Sequence, residues 1–204
     1  MATLETIDPR IRRTRQMLHR AFQELLCEKS FDAISVQDLA ERSTVNRATF
    51  YDHFPDKFAL LEDLIGENFR TIFQSRMQGR VGACPNEVRQ LILTVCDFLS
   101  EITGGCQKHR RQFAPIVEAR IKTLVRDSLL AGLRESAGEN LPADAELRAT
   151  MASWAICGAA MEWSQEGKIP AEEFANAVLP LVFPTIQLPH RGVEVSKEGR
   201  KAGI

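Results

Sequence analysis

Apolar residues recur along the chain at intervals of three and four and never in sustained alternation, so the spacing predicts helices and no strands. A first helix is expected from Pro9, behind Asp8 as N-cap, with Ile11, Leu18, Ala21, Phe22 and Leu25 on one stripe. From Phe58 a long amphipathic helix carries Leu61, Leu64, Ile65, Phe69, Ile72, Phe73 and Met77, and it ends at Gly79 or Gly82. Further helices are expected over 86–103, 113–136, 143–165 and from Ile169-Pro170 to about Phe183. The segment 151–163 is apolar nearly all round, so something must cover every side of it. In the last helix Phe174, Val178, Leu181 and Val182 are expected to stand exposed unless something packs on them. These two helices, 143–167 and 170–184, read as a dimerisation pair, with the inner helices of a monomeric bundle as the alternative. The charged, glycine-containing tail 189–204 is expected to be disordered, and no internal repeat is present.

Between the first and the long helix, Ile34 to Phe54 contains two helix starts in close succession. Ser35 and Asp38 have capping-box spacing, and Ile34 and Leu39 occupy the positions of a hydrophobic staple. After a turn around Ser43 and Thr44, Asn46 is a second N-cap, with Val45 and Phe50 at the staple positions. Two short helices across a tight turn form a helix-turn-helix, which places the start of its second helix in a DNA major groove.

Composition narrows the function. With 204 residues, 44% apolar, the chain can bury a core of one large or two small domains, but its formal charge of -1 offers no general attraction to nucleic acid. Any DNA-binding surface must therefore come from local clustering, and Arg10, Arg12, Arg13, Arg15 and Arg20 supply a basic helix face without an intervening acid. Taken alone it reads equally as a solvated face, and beside a helix-turn-helix phosphate contact is the better reading. Lys57 stands in the first turn of a helix against the dipole preference, which calls for a compensating anion. Five widely spaced cysteines and no apolar leader argue for a reducing cytosol, and no apolar run reaches the roughly 18 residues of a membrane span. Cys106 and His109 have a Cys-x-x-His spacing, but a metal site needs further ligands, and none are paired with them; no cofactor is expected. Cations beside Cys106 leave a redox role open.

The first 65 or so residues, above all SVQDLAERSTVNRATFYDHFPDKFALL, resemble the TetR family of bacterial transcription regulators. The residues that carry the likeness are Ala40, Ala48, Thr49, Phe50, Tyr51, His53, Phe54, Asp56 and Lys57. Thr44 departs from it, since the family often has glycine at this turn and a β-branched residue suits a positive φ poorly. The resemblance implies an all-α fold, with a helix-turn-helix domain over 8–57 and a ligand-binding and dimerisation domain over 58–188. It also implies phosphate contacts from Ser35, Thr49, Tyr51, His53 and Lys57, to which the basic first helix adds Arg13. Base reading then falls to Gln37, Asn46, Arg47 and Ala48, while Phe50 and Phe54 belong to the core. Candidates to line an effector cavity are Phe69, Phe73, Cys96, Phe98, Phe113, Val117, Met151 and Trp154, each with plain core packing as its alternative.

The expected function is a cytoplasmic homodimeric repressor, nucleoid-associated when bound, that holds double-stranded palindromic operator DNA and is released by a small-molecule effector. An activator or architectural protein is the competing DNA-binding reading. No Gly-rich phosphate loop, nucleophile elbow or paired metal motif supports an enzyme. An interaction protein without DNA affinity is disfavoured by the basic first helix.

Overall fold

The computed structural model describes residues 8–77, 83–104 and 114–187. Among them are eight α-helices and no strand: α1 Pro9–Glu28, α2 Val36–Ser43, α3 Arg47–His53, α4 Lys57–Met77, α5 Pro85–Gly104, α6 Ala114–Ala137, α7 Ala145–Glu166 and α8 Ala171–Ile186. The expected tail, Cys106, His109 and Phe113 lie outside the described residues.

Local chemistry sets the helix ends where the spacing placed them. Asp8 accepts the Arg10 backbone N–H at 2.8 Å with Pro9 in the first turn. The Ser35–Asp38 capping box is complete, and both staples have buried apolar members in Ile34, Leu39 and Phe50. Asp56 accepts from the Ala59 N–H at 2.8 Å at the start of α4. Gly167, with φ of 61°, closes α7 in the left-handed conformation that costs glycine least.

α1, α2 and α3 pack around Leu18, Phe22, Leu25, Phe31, Phe50 and Phe54. That cluster is continuous through Leu60, Leu61 and Leu64 of α4 with the larger core of α5 to α8. α4 is thus the shared wall, and α6 packs on α4 and α7 while α8 packs on α5 and α7. Arg76 to Asp97 ties α4 to α5, and Arg89 holds Glu172 and Asn176 across α5 and α8.

Several expectations change. Ile11 is exposed, because burial along α1 begins only at Leu18. Phe174, Val178 and Val182 need no partner molecule: α5 and α7 bury them within the chain, and of that set only Leu181 is bare, at 77% exposure. α8 also continues past the expected end at Phe183, carrying Pro180 and Pro184 on its outward side. α7 buries one side only, that of Ala149, Ala152, Ile156 and Ala160, against α5, α6 and α8. Its other side leaves Leu147, Met151 and Trp154 in the open.

Candidate nucleic-acid interface

α3 is seven residues long and turns three kinds of side chain in three directions. Phe50 points into the core, Thr49 and His53 lie at the margin, and Arg47, Ala48, Tyr51 and Asp52 face outward. The spacing of the last four is that of one helix face. The Tyr51 ring stands edge-on to Phe50 at 5.4 Å, which fixes the phenol while leaving half of it exposed. Arg47, Thr49, Tyr51 and His53 have no hydrogen-bond or ion-pair partner among the described residues, so their donors are available. Asp52 shares this face and was not singled out from sequence; its place four residues after Ala48 was the available signal. A carboxylate there can accept from a cytosine amino group and repels phosphate.

The turn before α3 is a Schellman motif. The Val45 N–H reaches the Ala40 carbonyl at 3.0 Å and the Thr44 N–H that of Glu41 at 3.3 Å. It puts Thr44 at φ 57°, the one positive φ outside glycine among the described residues, so the turn keeps the geometry that glycine would take and stores the strain. Arg42 clamps the same end of α2 to α1 by a bidentate pair with Glu28, both bonds 2.7 Å.

Four of the expected contact residues are occupied by the fold itself. The Ser35 hydroxyl donates to Asp38 at 2.7 Å and accepts its N–H. Hydrogen bonds from Lys29 and then Ser35 hold the Asp38 carboxyl well below its ordinary range, so it is a firm acceptor. The Asn46 side-chain oxygen accepts from the Ala48 N–H at 2.9 Å, so the cap engages the oxygen that a bidentate pair with adenine would use. Gln37 donates to Glu41 one turn on. Lys57 is the clearest correction. Its ammonium donates to the carbonyls of Phe31 at 2.9 Å, Asp32 at 3.1 Å and Ile34 at 2.9 Å, and it sits over the Phe31 ring at 4.7 Å. In place of the anion that its position called for stand three neutral backbone oxygens, and all three of its donors are used.

The basic face of α1 divides similarly. Arg15 makes two bonds to Asp63 of α4, at 3.2 and 2.6 Å, with His19 on the same carboxylate at 2.9 Å. Arg20 pairs with Glu24. Arg10, Arg12 and Arg13 remain exposed and unpaired among the described residues.

The expected cavity residues also separate. Phe69, Cys96, Phe98 and Val117 are buried core, with Phe73 stacked on Phe69 at 6.2 Å. Burial pushes the Cys96 thiol up to about 12, so it is inert. Met151 and Trp154, at 56% and 62% exposure, are on the surface and not in an interior cavity.

Known proteins share this arrangement. Residues 20–64 match the family model described as bacterial regulatory proteins, tetR family. The chain is 37% identical over 82 residues to the uncharacterized HTH-type transcriptional regulator YxbF of Bacillus subtilis, and 40% identical over 55 residues to YdeS of the same organism. Those matches cover 40% and 27% of this chain but only 21% and 28% of the relatives, so the chain is matched to a minor part of their length. Among solved structures, Lin0861 from Listeria innocua aligns with TM-score 0.64 at 20% identity, over 89% of this chain and 94% of that one. The dihydroxyacetone kinase operon activator DhaS aligns with TM-score 0.54 at 17% identity, over 85% and 96%. At those identities the structures speak for the fold alone. Over residues 20–64 the chain therefore carries a helix-turn-helix segment like that of the bacterial regulatory proteins of the tetR family, set in an all-helical architecture that solved structures share.

Proposed function

We propose that this protein is a transcriptional regulator that binds double-stranded operator DNA as a homodimer and is released by a small-molecule effector. The observation that carries the reading is the outward face of α3, where Arg47 and Tyr51 stand exposed with free donors. Arg47 and the Ala48 methyl read base edges, and Thr49, Tyr51, His53 and Arg13 hold phosphates. Ser35 and Gln37 lie at the start of α2; the Ser35 hydroxyl can donate elsewhere only by releasing Asp38, while Gln37 keeps a second amide N–H beside its bond to Glu41.

One α3 offers a small reading surface, so specificity calls for a second copy. The apolar strip of Leu147, Met151 and Trp154 on α7, with Leu181 on α8, supports a two-helix face that pairs with its own symmetry mate. No helix of the described residues is long and apolar enough to cross a membrane, in keeping with a cytoplasmic role. Repression is the working assignment. DhaS, similar in fold, is named an activator, so operator position relative to the promoter decides the sign.

Selection from a random DNA pool tests the proposal. It should enrich an inverted repeat, and Arg47→Ala should cost about 1–3 kcal/mol at one base position per half-site. Enrichment of a site without a dyad would sink the dimeric version.

A further inference from the structure

Arg120 of α6 lies against α4 without a partner. Its Nε is fully buried, with no hydrogen bond, and none of its nitrogens has an ion-pair partner among the described residues. Every other arginine that crosses between helices here, namely Arg15, Arg42, Arg76, Arg89 and Arg148, reaches a carboxylate or a backbone oxygen. Arg120 can lie flat on α4 because residue 66 is glycine: its Nη2 is 3.4 Å from where a Cβ would stand. Arg70 approaches the same point, its Nη2 at 4.0 Å, so two guanidinium groups converge over Gly66. Arg70 is satisfied by Glu67 at 2.9 Å and the Gly66 carbonyl at 3.2 Å. Arg120 is not: its Nε is shut off from solvent with no acceptor, and a buried donor left unsatisfied beside a like charge costs free energy that an incoming acceptor would recover.

The guanidinium also lines a groove of about 370 Å³ between α4 and α6. Pro115, Ile116, Ala119 and Thr123 form its walls, and Glu62 stands at its α4 edge. A mostly apolar channel with an unpaired planar fork suits a small organic acid, its carboxylate on Arg120 and its body along α6. From this geometry we infer that the α4–α6 groove binds a small organic carboxylate through Arg120. Gly66 is three residues, just under one helical turn, beyond Asp63, which α1 grips through Arg15 and His19. A carboxylate that draws Arg120 away from α4 therefore acts on the helix that carries the DNA-reading unit, and in this step the inference rests on the regulatory reading above.

The test uses the full chain and calorimetric titration with benzoate and hexanoate. Benzamide and hexanamide serve as neutral isosteres, and inorganic phosphate as an anion without an apolar body. Saturable binding of a carboxylate is expected, absent for its amide and about 10–100-fold weaker in Arg120→Met, the range for a lost charge-assisted hydrogen bond. Arg120→Lys keeps the charge without the fork and should fall between, which also covers a folding defect in the methionine variant. No saturable binding, equal binding by Arg120→Met, or phosphate binding as tightly as either acid would overturn the site. So would a Glu62→Gln variant that loses as much stability as Arg120→Met with no further loss in the double variant, since Arg120 would then already own a partner. Anisotropy of a selected operator fragment separates the two claims: absence of DNA binding defeats the regulatory reading, and carboxylate binding that leaves operator affinity unchanged defeats only the effector role.

Discussion

The Lys57 ammonium donates to the Ile34 carbonyl at 2.9 Å, and through it α4 is buttoned to the segment that leads into α2. With Phe31 and Asp32 also accepting, the lysine caps the open carbonyls of a 3-10 turn instead of reaching outward. Its removal should therefore act on stability first. Lys57→Met leaves those carbonyls without a cation, a loss of about 2–4 kcal/mol given about 1.5–3 for hydrogen bonds to a charged group. Lys57→Arg should recover little, because a planar fork cannot meet three converging oxygens. Thermal unfolding of both variants is the check. A Lys57→Met protein as stable as the parent and deficient only in DNA binding would restore the phosphate role.

Thr44 gives a prediction of opposite sign. A left-handed non-glycine residue costs about 1–2 kcal/mol, and glycine gives back about 0.5–1 of that in chain entropy. Thr44→Gly should then be stabilising by up to about 1 kcal/mol, a rise of roughly 2–4 °C in a chain of this size. Thr44→Asn should move the same way. Lower melting points for both would mean that the Thr44 hydroxyl bond to the Ser43 carbonyl, 2.6 Å, outweighs the strain.

These two residues show what the sequence could and could not carry. Spacing and cap chemistry placed nearly every helix, because Asp8, Ser35, Asp38 and Asn46 act on their own neighbours. Partners far along the chain were invisible. Lys57 binds carbonyls 23 to 26 positions earlier, Arg15 an acid 48 positions later, and no periodicity encodes either. For the same reason Asn46 looked equally fit to cap or to read a base, and the apolar stripe of α8 equally fit for a partner or for α5. Resemblance added the roles expected of α3, on which Arg47, Ala48 and Tyr51 are exposed.

Asp63 makes the junction of α1 and α4 sensitive to acid. Burial pushes its carboxyl up, but hydrogen bonds from His19 and Arg15, with their charges, outweigh burial and hold it at about 2, below its ordinary 3.8. A depressed carboxylate contributes stability that is full above the unfolded value and is lost as pH falls through the folded one. The contribution, about 2 kcal/mol, should therefore be present at pH 6 and vanish between about pH 4 and pH 2. Asp63→Asn should be less stable than the parent at pH 6, with the gap closing across that window in denaturant titrations. A gap that stays constant down to pH 2 would show that the pair contributes packing and no charge.

The exposed strip on α7 and α8 yields the last prediction. Trp154 and Leu181 are large apolar side chains at 62% and 77% exposure, and neither supports the core of its own chain. Leu181 lies on the α8 face that also turns Ala177, Pro180 and Pro184 outward, a surface of small rigid groups that another helix can approach closely. If this face joins two copies, Leu181→Glu should place two carboxylates near the two-fold axis, where neither can find water or a cation. Trp154→Glu should do the same on α7, where Lys122, with its Nζ 5.4 Å from the indole ring, offers only partial relief. The double variant should sediment as a folded monomer, with a melting point independent of protein concentration, unlike that of the parent. Its operator affinity should fall by more than tenfold, since each half-site is then bound without the other. The exposed Arg47 and Tyr51 lie on α3 and should be untouched, so weak nonspecific binding at low salt ought to persist. A dimeric double variant would move the interface elsewhere on the chain and leave Trp154 to the groove of Lys122, Arg126 and Ser153 beside it.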